Sequence, residues 1–160
     1  MKSTETFFAS QYELIRQSRT VLFGFCRTLT HADLIRENEL FGRGGSVRNL
    51  LVHIANTYEF WIVKNALKRN IHFTEYESKE TIDEIKTLFT RVDREVADFI
   101  TAYASSVSEA IPTEIDGIKK SIPASVLFTH VITHEFHHKG QIVSLCRHMG
   151  YAPVDTDIIW

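Results

Sequence analysis

The chain has 160 residues, 44% of them apolar and 24% charged, with a formal net charge of −2, the profile of one globular domain around a single core. It shows no basic run of the kind nucleic-acid binders carry, no apolar stretch near the ~20 residues that cross a bilayer, and no secretory core in MKSTETFFASQYELIRQ. We therefore expect a cytoplasmic protein without nucleic-acid or membrane partners.

Phe8, Tyr12, Ile15, Leu22, Phe25 and Leu29 follow a three-and-four rhythm, which predicts an amphipathic first helix. The glycines of FGRGGS (41–46) end that pattern. Ser46 is placed to cap a second helix, with Val47, Leu50, Leu51, Ile54, Tyr58, Trp61 and Asn65 as its buried stripe. Thr81-Ile-Asp-Glu84 reads as a capping box opening a third helix. Its seam is Ile82, Ile85, Phe89, Val92, Val96, Phe99 and Tyr103. Residues 107–122 alternate briefly around Asp116-Gly117, a type I′ turn signal, which predicts a short hairpin or an irregular loop. Pro123 suits the first turn of a fourth helix and Gly150 the position just past its end. The tail YAPVDTDIIW reads as extended, with Trp160 against the core. Cys26 and Cys146 stand far apart within apolar patterns, as buried free thiols would. Four amphipathic segments without sustained strands predict an all-α four-helix bundle, a single domain over residues 1–160.

The fourth helix carries HVITHEFHHKG, residues 130–140, with four of the chain's eight histidines. Its apolar stripe runs through Leu127, Val131, Ile142, Leu145 and Met149. At about 100° per residue that stripe also passes through His134 and His138. Two inward imidazoles one turn apart need two buried partners, and leaving them unpaired costs on the order of a few kcal/mol. A shared metal ion satisfies both, and i, i+4 histidines are a recurrent chelating pair. His130 and His137 lie beside the stripe, as supporting, dimer-contact or surface residues, although His130 with His134 is a second pair that spacing allows. A third ligand should come from another helix. His31 follows the end of the first helix, His72 falls in a loop and His148 lies on the far side. His53, on the flank of the second helix, is the best candidate.

The same letters match the peptidase signature H-E-x-x-H, with His134 and His138 as zinc ligands and Glu135 as general base. The extended form of that signature needs glycine at 141 and histidine at 144, where the chain has Gln141 and Ser144. No glutamate follows Glu135 to serve as third ligand. A metallopeptidase is thus a minor alternative.

HVITHEFHHKGQIVSLCRHMGY resembles the last-helix motif of the DinB/YfiT-like superfamily, GSVRNLLVHIANTYEFWI its second helix, and YAPVDTDIIW its proline-and-aspartate tail. The resemblance implies a bundle of up-down-down-up connectivity, often a homodimer. It implies one divalent ion, zinc or nickel, on His53, His134 and His138. It also implies a small-molecule substrate and, from members with known activity, thiol-dependent chemistry: S-transferases using bacillithiol or mycothiol, and a mycothiol-dependent isomerase. A low-molecular-weight thiol would then be the cosubstrate. Lys139 departs from the family, where arginine is commoner, and leaves any arginine-specific substrate contact open. A non-catalytic metal-binding stress protein needs the same three ligands and stays as the alternative.

Overall fold

The first helix, α1 (Lys2–Cys26), buries Phe8, Tyr12, Ile15, Leu22 and Phe25, the rhythm expected of it. The computed structural model describes residues 2–41 and 45–159, so Gly42 to Gly44 of the glycine break and the expected burial of Trp160 lie outside the described residues. A short helix, α2 (His31–Ile35), follows, capped by Thr30, whose hydroxyl accepts from the Asp33 amide at 3.1 Å. It was not expected: five residues are too few for a periodicity to register.

Helix α3 (Val47–Tyr58) starts as predicted, with Ser46 Oγ accepting from the Asn49 amide at 3.0 Å. From Glu59 to Ala66 it continues as a π-helix. The wider turn is visible in its bonds: the Leu67 amide reaches back five residues to the Ile62 carbonyl, and the Asn65 side chain donates to the Phe60 carbonyl. A π turn inserts one residue into the helical count, so Ile62, Val63 and Ala66 are buried together with the expected Asn65. Trp61, expected on the stripe, is rotated to a half-buried flank.

Helix α4 (Ile82–Tyr103) opens with the full capping box: Thr81 Oγ1 accepts from the Glu84 amide, and Glu84 accepts from the Thr81 amide at 2.9 Å. Its seam from Ile82 to Phe99 is buried as read, and the Tyr103 hydroxyl donates to the Ala66 carbonyl. Strands β1 (Ala110–Ile115) and β2 (Ile118–Pro123) then form an antiparallel hairpin, pairing Ile115 with Ile118. Its turn residues Asp116 and Gly117 both have positive φ, as a type I′ turn requires. Among the described residues the chain is therefore mainly α with a two-stranded sheet, five helices rather than four and not all-α.

Pro123 immediately precedes α5 (Ala124–His148), one residue earlier than expected. Gly150, at φ 90°, ends α5 in a Schellman motif, its amide bonding the Arg147 carbonyl and the Tyr151 amide that of Cys146. Both cysteines are buried and free.

Residue pairs give the helix directions. Tyr12 meets Asp93 and Phe23 meets Phe89, so α1 and α4 are antiparallel. Phe8 meets Phe128 and Arg19 meets Glu135, so α1 and α5 run together. Tyr58 meets Glu135 while Trp61 meets His130, so α3 opposes α5. No helix of the described residues is long and apolar enough to cross a membrane.

Candidate metal centre

The seam of α5 steps through Val131, Glu135, His138, Ile142 and Leu145, all buried, a 4-3-4-3 spacing. His138 thus lies on the seam as read, whereas His134 sits half-buried one step to its side. Opposite them, across the antiparallel contact, α3 presents His53 from the flank of its own stripe. The three rings meet edge to face, with centroids 4.4 to 5.0 Å apart. Each offers a ring nitrogen, and these nitrogens all lie within 4.8 Å of one another.

The donor geometry fits a transition-metal ion. His134 Nε2 and His138 Nε2 are 3.1 Å apart. Two ligands at about 2.0–2.1 Å from a tetrahedral ion stand about 3.3 Å from each other. Without a cation, two imidazole lone pairs repel at this distance unless one ring turns a proton toward the other. That leaves no gain for His134 Nδ1, which is buried and has no hydrogen-bond partner. Burial first, and then the neighbouring imidazoles of His138 and His53, push His134 down to about 3. It is therefore neutral at physiological pH, the form that ligates.

His138 is oriented from behind. Its Nδ1 donates to Gln141 Oε1 at 2.7 Å, which leaves Nε2 as the lone-pair nitrogen. The other end of the same amide touches His137 Nε2 at 3.3 Å. From sequence, Gln141 is the wrong residue for a peptidase and part of the last-helix motif, with no contact assigned to it. Its position three residues on, one helical turn from His138, was the available signal. His137 is exposed on the rim and meets His138 edge to face, while His130 is exposed with its ring against Trp61.

Glu135 lies in the core, 3% exposed, with its carboxylate held between α1 and α3. Arg19 grips both of its oxygens, Nε to Oε1 at 2.7 Å and Nη2 to Oε2 at 2.9 Å, and the Tyr58 hydroxyl donates to Oε2 at 2.7 Å. Arg19 also reaches Asp93 Oδ1, which accepts from the Tyr12 hydroxyl. The network ties α1, α3, α4 and α5 together at the level of the histidine cluster. Burial pushes Tyr58 well above its usual value, with the charge of Glu135 adding to the effect, so its hydroxyl keeps its proton. Arg19 held a legible signal: it falls between Ile15 and Leu22 on the stripe of α1.

Lys139, the family departure, is 4% exposed. Its ammonium donates to Ser18 Oγ and to the Thr156 carbonyl, and lies 3.3 Å from the centre of the Phe136 ring. Burial lowers it to about 8 against the pull of Glu135, Asp157 and Asp155. It fastens the tail across α1 and α5, so its side chain is engaged in structure.

A cavity of about 430 Å³ opens beside His53. Its walls carry Phe60 and Trp61 from the π turn and Phe73 and Tyr76 from the connection to α4. Asn56 holds that connection in place, donating to the Thr74 carbonyl and accepting from the Thr74 amide, both at 2.9 Å.

The protein is a mainly helical domain in which three imidazoles, able to hold a metal ion, converge from two opposed helices beside a small cavity. The chain belongs to the DinB family, whose family model matches residues 1–160. It is similar to the uncharacterized protein YizA of Bacillus subtilis, 27% identical over 161 residues, 92% of this chain and 91% of that protein. It is also similar to the protein DinB of the same organism, 27% identical over 120 residues, 70% of this chain and 69% of that protein.

Proposed function

We propose that the chain is a single DinB-type domain in which His53, His134 and His138 hold one divalent ion, zinc or nickel, for transfer of a low-molecular-weight thiol to a small electrophile. The helix directions given by the paired residues support the family's up-down-down-up bundle for α1, α3, α4 and α5. A homodimer and a cytoplasmic location belong to the same reading. The observation that carries it is the convergence of three imidazole nitrogens within 4.8 Å. Imidazole suits zinc and nickel alike, and three protein ligands leave a position for a substrate.

When bound, such an ion supplies a Lewis acid that acidifies a thiol well below its free pKa of roughly 8.5. The chain's own residues bind and orient. Gln141 fixes the ring of His138, the Arg19–Glu135–Tyr58 network holds α5 in register with α3, and the aromatic cavity gives the second substrate a place beside His53. In the transfer, a sulfur–carbon bond forms, the leaving group departs with its bonding electrons, and the thiol proton passes to solvent.

The cavity beside His53 favours this reading over a metal-binding stress protein without catalysis. A peptidase is disfavoured because Arg19 and Tyr58 already engage Glu135, the residue that would be its base. The test is a screen of bacillithiol, mycothiol, coenzyme A, glutathione and cysteine against monochlorobimane with zinc- or nickel-loaded protein. Conjugation faster than with free metal, and lost in His53→Ala, supports transfer. No acceleration at full loading with any thiol rejects it in favour of the non-catalytic role.

A further inference from the structure

We propose that the cavity beside His53 takes a flat, uncharged aromatic group and, resting on the transferase reading, that the electrophilic substrate carries one. Its volume of about 430 Å³ falls within the range of about 300–1,000 Å³ usual for small-molecule sites. Phe60 and Phe73 face each other across it, nearly parallel at 29°, with centroids 6.5 Å apart. A ring inserted between them needs two contact layers of about 3.5–4.0 Å, about 7–8 Å in all. A shift of roughly an ångström at Phe73 opens that slot. Phe73 is 51% exposed, yet the next residue, Thr74, is clamped to α3 by Asn56. An apolar ring held over a cavity while half open to water lacks a partner that a ligand would supply. Trp61 closes the corner, perpendicular to Phe60 at 5.0 Å.

The polar groups of the wall point the same way. Both ends of the Asn56 amide are engaged by Thr74, and the Thr57 hydroxyl donates to the His53 carbonyl. Glu75 is the one formal charge among the lining residues, so in the metal-free protein the wall offers an anion no counter-charge. A cation is disfavoured too: Lys64 already sits 5.3 Å over the Phe60 ring.

The test measures binding of 2-naphthol by ligand-observed NMR, with decahydro-2-naphthol, naphthalene-2-sulfonate and tetraethylammonium as comparators. It uses chelator-treated and zinc-loaded protein, so the result does not depend on catalysis. We expect 2-naphthol to bind about five-fold or more tightly than each comparator. Phe73→Ala and Phe73→Leu should both weaken it by a similar factor, because leucine keeps apolar volume and loses the ring. Phe7→Leu, at an exposed phenylalanine elsewhere on α1, should not. Equal affinity for the saturated alcohol, tighter binding of either ion, or indifference to both Phe73 variants overturns the inference. Thiol transfer without naphthol binding defeats the cavity reading alone, and naphthol binding without transfer defeats the transferase alone.

Discussion

Arg19 and Glu135 form a two-point ion pair in the core, each almost wholly out of water, with the Tyr58 hydroxyl completing the carboxylate. The glutamate of an apparent peptidase signature is thereby the central tie of the helix assembly. Removing one partner of such a pair leaves an uncompensated buried charge, which costs about 3–5 kcal/mol. Arg19→Leu should therefore lower the melting temperature by about 6–20 °C, as read by calorimetry. The protein should leave casein intact whether or not it is zinc-loaded. Casein cleavage that Glu135→Gln abolishes would restore the peptidase.

Metal content should follow the cluster and ignore its rim. After mild dialysis, plasma emission analysis should find about one equivalent per chain, from one converging set of donors. His53→Ala, His134→Ala and His138→Ala should each lose most of it, and His130→Gln and His137→Gln should keep it. Loss on His130→Gln with retention on His138→Gln would move the site one turn toward the start of α5.

Gln141→Leu should weaken metal affinity by about 10–100-fold, the usual effect of deleting the partner that orients a ligating imidazole. A competition titration against a chromogenic chelator reads this directly. Unchanged affinity would mean that packing alone holds His138.

His134 yields a pH signature in the metal-free protein. Its folded value, about 3, lies below the ordinary 6.5. Unfolding releases a ring that binds a proton more readily, so the stability it contributes is whole above 6.5 and drains away as pH falls toward 3. Thermal melts of chelator-treated protein should decline across that window, and the decline should be shallower in His134→Gln. Identical slopes in the two proteins would assign the acid sensitivity to other groups.

What could be read from sequence followed how locally each feature is encoded. The capping box at Thr81 and Glu84, the Asp116-Gly117 turn and the Gly150 stop each depend on a few neighbouring residues, and each formed as read. The pairing of His134 with His138, facing a flank residue of α3, was legible because a helix converts spacing into direction. Trp61 was misplaced because a period of 3.6 holds only while the helix stays α. The partners of Glu135 and Lys139 were hidden for another reason. They come from α1, α3 and the tail, more than a hundred positions away for Arg19 and Ser18, and no periodicity reports such a meeting.

The π turn at Glu59–Ala66 also makes the cavity depend on residue count rather than residue identity. Deleting Glu59, at its first position, would return the segment to an α rhythm and swing every following side chain through about 100°. Trp61 and Phe60 would leave the mouth beside His53 although neither had been substituted. Homologous chains that keep the three histidines but lose one residue in this stretch would thus carry the same histidine cluster behind a differently shaped door. A one-codon deletion would be enough to change what the cluster meets.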